Sequence, residues 1–379
     1  MKYLCLVLLA TSVLCGKFTD KLYEHLSRKH ANNNFIASAF CVEIGMSMIL
    51  MGAEGKTADE LRRALILPKD KKEVAKIYDQ LMTNLENRKK VAVLDMANRL
   101  FVNESYGINR NYNKLVKNSF RAEVEAINLR DRAKAAWTIS DWVLDKTLDN
   151  VKGIISPSNL ANDESAVLVN AAFFKGYWKS RFKRKSTKVM TFHISDTQKV
   201  LVPMMSQVGI FKMRSSAYDR IIEMPFAYSN LSMVIVLPHN NGGLERAERT
   251  IDSFSESLDE MQVHVQLPRF KIEFRTELVD TLKKMGIIEL FTNSSNLSGL
   301  LKRTGTRISQ VVHKAFVEIN EEGASAGAAN AGTFLGVSDF PETVSSFKAD
   351  KPFVFIIRDQ STIYFRGRVV DPLSNSTIL

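Results

Sequence analysis

Three cysteines in 379 residues exclude a disulfide-stapled scaffold. Cys5 and Cys15 lie in the apolar N-terminal stretch, which leaves Cys41 without an intramolecular partner. Stability therefore has to come from packing, and an apolar fraction of 45% is ample for a buried core. The chain has no phosphate-binding loop and no heptad repeat, and its six histidines show no zinc-ligand spacing, so neither cofactor nor metal is expected. No long Pro/Gly linker divides it, which favours one mixed α+β domain. No apolar run is long enough for a typical membrane span, and Ser376-Thr377-Ile378-Leu379 is not a retention signal. Lysine and arginine are missing from the whole interval between Gly323 and Phe347.

Met1-Lys2 followed by Tyr3-Leu4-Cys5-Leu6-Val7-Leu8-Leu9-Ala10 has the charged start and short apolar core of a secretory signal peptide, ending near Cys15 or Gly16. Residues 1–16 are read as that leader and residues 17–379 as one exported, extracellular domain. In that setting Asn103, Asn230, Asn293, Asn296 and Asn375 each open an Asn-X-Ser/Thr sequon and are glycosylation candidates. Asn293 and Asn296 are close enough that joint occupancy is not expected. The net charge of +11 favours polyanions, and Lys179, Arg181, Lys183, Arg184, Lys185 and Lys188 form the densest basic segment. A sulfated glycosaminoglycan is the partner to consider there. No RNA-binding or helix-turn-helix signature accompanies the charge, so specific nucleic-acid binding is not expected.

Apolar spacing predicts a helix over about residues 18–30 and a largely buried helix from Phe40 to Leu50. Thr57 with Glu60 reads as a capping box for the next helix. Val91 to Val102 alternates like a strand, and Lys134 to Asn150 carries Trp137, Trp142 and Val143 in a helical pattern. Ser165 to Phe174, Met204 to Met213 and Ile221 to Pro238 read as strands, and Glu277 to Met285 returns to helix. Cys41 and His313 could in principle pair as thiol nucleophile and base. Both sit in apolar contexts, with no oxyanion-hole or nucleophile-elbow pattern, so no enzyme activity is expected.

Near the C-terminus, Glu321-Glu322-Gly323-Ala324-Ser325-Ala326-Gly327-Ala328-Ala329-Asn330-Ala331-Gly332 places very small residues between two strand-like segments, Val311 to Ile319 and Lys351 to Ile357. Such a run builds no core. Its glycines and alanines let it remain an exposed loop, and being small on both faces it could also enter a packed sheet without displacing bulky neighbours.

That run, with the segments around it, resembles the reactive-loop hinge of the serpins. Asn34-Phe35-Ile36-Ala37-Ser38, Asn170-Ala171-Ala172-Phe173-Phe174-Lys175-Gly176-Tyr177-Trp178, Val202-Pro203-Met204-Met205 and Leu267-Pro268-Arg269-Phe270 are similar to serpin segments. So are Asn296-Leu297-Ser298-Gly299, Val312-His313-Lys314-Ala315, Lys351-Pro352-Phe353 and Gly367-Arg368-Val369-Val370-Asp371-Pro372. The resemblance covers essentially the mature chain. It implies an α+β serpin fold of three β-sheets with eight or nine helices and an exposed reactive-centre loop over about 321–347.

The resemblance also implies a monomeric inhibitor of a serine protease. The protease attacks a bait bond to form an acyl-enzyme, and the cleaved loop inserts into the central sheet and traps it. The hinge is Glu321, Glu322, Gly323, Ala324, Ser325, Ala326, Gly327, Ala328 and Ala329, free of proline and of charge beyond Glu322. The family's usual loop length puts the reactive bond at Val337-Ser338, with Leu335 and Phe340 as alternatives. An aliphatic or aromatic bait residue implies an elastase-like or chymotrypsin-like target, and the lack of Arg or Lys disfavours a trypsin-like one.

Asn34, Ser38, Asn170 and His313 match shutter positions that form a polar cluster under the opening sheet. Ala39 replaces a common proline there, and Cys41 a common serine. Trp178 matches the tryptophan where insertion begins. The alternative reading is a non-inhibitory serpin acting as carrier, storage or signalling protein.

Overall fold

Ala166 to Phe174 is an uncharged run of small, branched and aromatic residues, the composition of a strand buried on both faces. The computed structural model, which describes residues 18–88, 93–161, 165–252, 258–324 and 344–374, places this strand inside a six-stranded sheet. In chain order the strands are β1 (Phe35–Ala37), β2 (Val93–Asn103), β3 (Glu123–Ile127), β4 (Ala166–Tyr177), β5 (Lys188–His193), β6 (Lys199–Ser215), β7 (Asp219–Pro225), β8 (Ser232–Pro238), β9 (Asp259–Pro268), β10 (Phe270–Glu277), β11 (Gln310–Asn320), β12 (Gly323–Ala324), β13 (Ser345–Lys348), β14 (Phe353–Arg358) and β15 (Ile363–Val369). The helices are α1 (18–29), α2 (Ala39–Gly52), α3 (Gly55–Leu65), α4 (Lys71–Arg88), α5 (Arg110–Phe120), α6 (Arg132–Lys146), α7 (Leu244–Asp252) and α8 (Val279–Lys284). Eight helices among the described residues agree with the expected eight or nine.

The six-stranded sheet runs β10-β11-β12-β4-β2-β3, and a nine-stranded sheet runs β1-β15-β14-β8-β7-β6-β9-β13 with β5 added on β6. Among the described residues, two hydrogen-bonded networks thus stand for the three sheets that the resemblance implies. The reason is the 17-residue β6: it pairs with β5 over Lys199–Met204, with β9 over Met204–Met213, and with β7 over Lys212–Ser215. One long strand therefore belongs to two sheet regions.

The six-stranded sheet separates two cores. On one face Ala166, Leu168, Ala172 and Phe174 join the main core that contains α2. On the other, Val167, Val169, Ala171 and Phe173 pack with Ala135, Ile139 and Val143 of α6. Every residue of α2 is buried, which suits a helix that is apolar around most of its circumference. It also lies unusually close to the sheet. A Cβ built on Gly45 would stand 2.5 Å from Asn170 Nδ2, so only glycine fits that contact.

Two local readings change in the folded chain. Thr57 and Glu60 do not form a capping box: α3 begins at Gly55, and both side chains serve a distant loop. Thr57 Oγ1 accepts from Asn296 N–H (3.0 Å), and Glu60 Oε2 accepts from the N–H groups of Ile288 and Glu289 (2.7 Å each). The helix expected to Asn150 ends at Lys146. Thr147 Oγ1 donates to Val143 O (2.7 Å), and Leu148 and Asp149 turn left-handed. Trp137 is exposed, while Val143 is buried and Arg99 lies 4.8 Å over the Trp142 ring.

Candidate functional site

The site is a seam. β4 and β11 pair directly and in parallel from Val167 opposite Gln310 to Phe174 opposite Val317. Beyond that point they diverge, and β12 enters between them. Gly323 lies opposite Asn320 and Tyr177, and Ala324 opposite Ile319 and Gly176, antiparallel to both neighbours. Gly323 has φ +134°, and a Cβ there would collide with the Gly176 carbonyl oxygen and lie 2.7 Å from Tyr177 Cα. No other residue passes through that gap without strain. The start of the small-residue run is thus already wedged into the sheet at one end.

A dense clamp holds the wedge. Trp178 is buried and stacks on Phe226 with ring centroids 4.7 Å apart; its Nε1–H donates to Asn320 O (3.0 Å) and its main-chain N–H to Glu322 O (2.8 Å). The buried Glu321 carboxylate accepts from Arg269 Nε–H (2.8 Å) and from Thr187 Oγ1–H, and its carbonyl accepts from Phe182 N–H (3.0 Å). Burial alone would raise the Glu321 carboxyl, but the hydrogen bonds from Arg269 and Thr187 hold it below the usual carboxylate range. Arg184 pairs with Glu322 at 3.0 Å. The basic segment therefore does two jobs. Lys179, Lys183, Lys185 and Lys188 are exposed, whereas Arg184 touches the hinge and Arg181 lies 5.2 Å over the Tyr177 ring.

Midway along the seam the contacts are neutral and buried. Ser38 caps α2, its Oγ accepting from Cys41 N–H (3.2 Å), and its own N–H donates to His313 Nε2 (3.1 Å). Asn170 Nδ2–H donates to Asn98 Oδ1, which also accepts from the Cys41 thiol at 3.5 Å. Burial pushes the thiol up to about 12 and the His313 imidazole down to about 3. Both groups are therefore neutral at physiological pH, and the thiol is bonded to an amide oxygen. This arrangement does not supply an activated thiolate and base.

The sequence-predicted residues thus divide. Ser38, Cys41, Asn170 and His313 come together, and Trp178 stands at the open end. Asn34 does not join the cluster. It ties down the chain end, donating to Asp371 O (2.6 Å) and Ser374 O (2.9 Å) and accepting from Val370 and Asp371 N–H. Asn98, Thr187 and Arg269 were not anticipated as site residues. Their signal, a polar residue at an inward strand position or beside a strand end, has meaning only once the strand register is known. Ser325, Ala326, Gly327, Ala328, Ala329, Leu335, Val337, Ser338, Phe340 and Asn375 lie outside the described residues. Of the remaining sequons, Asn230, Asn293 and Asn296 are exposed. Asn103 is buried, with Oδ1 accepting from Ser105 N–H (3.1 Å).

The serpin (serine protease inhibitor) family model matches residues 14–372. The chain is 44% identical over 376 residues to serine protease inhibitor 42Dd of Drosophila melanogaster, covering 98% of this chain and 100% of that one. Among solved structures it is similar to Serpin48 of Tenebrio molitor, with a TM-score of 0.87, 28% identity, and 95% and 97% of the two chains covered. It is likewise similar to native protease nexin-1 solved with heparin, with a TM-score of 0.87, 27% identity and coverage of 96% and 100%. A small-residue strand wedged between two parallel partners, over a buried polar cluster and in a chain matched end to end, has one family assignment: this protein belongs to the serpins.

Proposed function

We propose that the chain is a secreted, monomeric inhibitor of serine proteases, not an enzyme, and that it acts as a single-use substrate. The protease serine attacks the carbonyl carbon of the bait residue, Val337 by loop length. The Val337-Ser338 bond breaks, Ser338 leaves as a protonated amine, and the acyl-enzyme remains. The freed hinge then extends β12 down the seam between β4 and β11, a case of strand addition. Inhibition requires that insertion outrun hydrolysis of the acyl bond.

The observation that carries this reading is the parallel β4–β11 pairing with Gly323–Ala324 already seated at its open end. Insertion then exchanges one parallel ladder for two antiparallel ones, a net gain of hydrogen bonds. An elastase-like or chymotrypsin-like target follows from the aliphatic and aromatic bait candidates. The exposed lysines beside the Arg184–Glu322 pair make a sulfated glycosaminoglycan a second partner, in line with the heparin bound to the related nexin-1. Asn230 and one of Asn293 and Asn296 are the glycan acceptors expected on an exported chain.

The test is to incubate the mature protein with elastase-, chymotrypsin-, trypsin- and subtilisin-like proteases. A complex stable to denaturing electrophoresis, with release of a peptide beginning at Ser338, is the expected result. Clean cleavage by the whole panel without a complex overturns it in favour of a non-inhibitory carrier, storage or signalling role.

A further inference from the structure

The turn between β7 and β8 presents a tyrosine that the folded chain does not use. The β7–β8 ladder ends with Pro225 opposite Ser232, Phe226 N–H donates to Leu231 O (2.9 Å), and Ala227 to Asn230 form the tip. Ser229 helps to fix the tip, its Oγ accepting from Leu231 N–H (3.3 Å). Tyr228 sits there with φ +54°, a backbone conformation that is costly for a bulky residue and that glycine or asparagine adopts more readily. Its side chain is 83% exposed, and among the described residues it makes no hydrogen bond, ring contact or ion pair. A bare ring on its own would mean little. Its neighbour gives it meaning.

Asn230 opens the sequon Asn230-Leu231-Ser232 and stands two positions on from Tyr228, so their Cα atoms are no more than about 7 Å apart. The exposed sequon asparagines differ. Asn293 Oδ1 accepts from Arg307 (2.8 Å) and Asn296 Oδ1 from Ser298 N–H (3.2 Å), whereas the Asn230 carboxamide has no partner among the described residues. Ser232 is buried and its Oγ–H donates to Glu223 Oε1 at 2.6 Å. Sugar transfer needs that hydroxyl accessible, so it has to precede closure of the hairpin, and the turn then folds with the glycan already in place. The turn is also tied to the open end of the seam. Phe226 stacks on Trp178, Ala227 N–H donates to Tyr177 O (2.6 Å), and Lys179 N–H donates to Pro225 O (2.9 Å). Whatever stiffens this turn stiffens the Trp178 clamp.

We propose that Asn230 carries an N-linked glycan whose first N-acetylglucosamine lies on the Tyr228 ring and braces the turn that holds Trp178. A β-linked N-acetylglucosamine presents a face of axial C–H groups, weakly positive, and an aromatic ring presents a negative face, so the two stack. In the transfer step Asn230 Nδ2 bonds to the anomeric carbon of a lipid-pyrophosphate-linked oligosaccharide. The bond from that carbon to the pyrophosphate oxygen breaks, the lipid pyrophosphate leaves, and one amide proton is released. The assignment rests on the export reading above, because that donor is met on the secretory route. It gives the tyrosine a reason to occupy a position that favours glycine, since the ring is covered once the sugar is attached.

The test expresses the full chain in cells that build high-mannose glycans, in four versions: unchanged, Tyr228→Ala, Tyr228→Phe and Asn230→Gln. Mass spectrometry of peptides reads occupancy, and proton resonances of isotope-labelled sugar read the stacking. The expected result is an occupied Asn230 whose first-sugar C–H protons are shifted upfield by the ring, a shift kept in Tyr228→Phe and lost in Tyr228→Ala. Amide exchange at Ala227 and Leu231 should be about two- to tenfold slower than in Asn230→Gln, the size of one aromatic contact, and should stay slow when the glycan is trimmed to its first sugar. Glycans on Asn293 or Asn296 with Asn230 bare overturn the proposal and leave export intact. An occupied Asn230 whose sugar resonances and amide exchange ignore Tyr228→Ala overturns it equally. A chain kept inside the cell with no glycan on any sequon overturns the export reading and the proposal with it.

Discussion

The β4–β11 seam and the β1-β15-β14 region are both buried sheet, yet their polar groups are treated in opposite ways. In β15, Arg368 is 3% exposed and fully engaged: it pairs with Glu248 at 2.8 Å and donates to Ser27 O (2.6 Å), His30 O (2.8 Å) and Asn33 O (3.2 Å). Glu248 also accepts from Ser27 Oγ–H at 2.6 Å, and the guanidinium lies 4.7 Å over the Phe35 ring. At the seam, by contrast, Asn170 Oδ1 and His313 Nδ1 have no hydrogen-bond partner among the described residues, and the Cys41 thiol supplies a weak donor. A satisfied buried network specifies one arrangement. A partly satisfied one leaves room for a second arrangement that makes more bonds. The contrast lies between the Arg368–Glu248 pair and the seam amides themselves, since His30 Nε2 beside that pair is also without a partner among the described residues.

The largest effect should come from breaking the fixed side. Arg368→Ala leaves the Glu248 carboxylate buried without its cation, a loss of about 3–5 kcal/mol. Denaturant midpoints of the intact and loop-cleaved proteins should both fall, and by similar amounts, because neither partner borders the seam. A loss confined to the intact form would mean that this region also rearranges on insertion.

The seam is better probed by acid. His313 is neutral when folded because burial holds its imidazole near 3, whereas the unfolded ring titrates near 6.5. Its contribution is therefore complete above pH 6.5 and is lost progressively as pH falls from 6.5 towards 3, reaching about 2 kcal/mol at pH 5. Spontaneous sheet opening, followed as loss of inhibitory activity or as polymer formation, should be faster at pH 5 than at pH 7.5. His313→Gln should flatten that dependence between pH 5 and 7.5 while lowering stability throughout. A slope that survives the substitution would place the sensitive group elsewhere.

This contrast also explains what could be read from sequence. The hinge, β4 and α2 are legible because their signals are local: small residues in series, an uncharged branched run, a largely apolar helix. Thr57 and Glu60 have the spacing of a capping box, but the fold spends both on the loop carrying Ile288, Glu289 and Asn296, more than 200 positions away. Asn34 carries a cluster motif and instead secures the chain end. Asn98 is invisible as a site residue until the β2–β4 register sets it beside Asn170, and Glu321 looks like a solvated hinge charge until Arg269 and Thr187 are brought to it. Local pattern decided the elements. The polar partners were decided by register, which no single segment contains.

The smallest expected effect is the most selective for the seam. The Cys41 thiol sits 3.5 Å from Asn98 Oδ1 and 3.8 Å from Ala171 O, both long contacts to a weak donor. In Cys41→Ser a hydroxyl of smaller radius and stronger donor character faces the same two oxygens, and one firm bond there is worth about 0.5–1 kcal/mol. Asn98 Oδ1 also receives Asn170 Nδ2–H, so the gain is transmitted to β4, the strand that parts from β11 in the proposed insertion. Because 1.4 kcal/mol is a factor of ten in rate, spontaneous opening at elevated temperature should slow by about two- to fivefold. Among the described residues no hydrogen bond or ion pair joins Cys41 to the Arg368–Glu248 pair, so the effect of Arg368→Ala on the denaturant midpoint should be the same in the Cys41→Ser background. Unchanged opening rates in Cys41→Ser would mean that the thiol contact does not limit separation of the two strands, leaving the open groups on Asn170 and His313 as the ones that set the barrier.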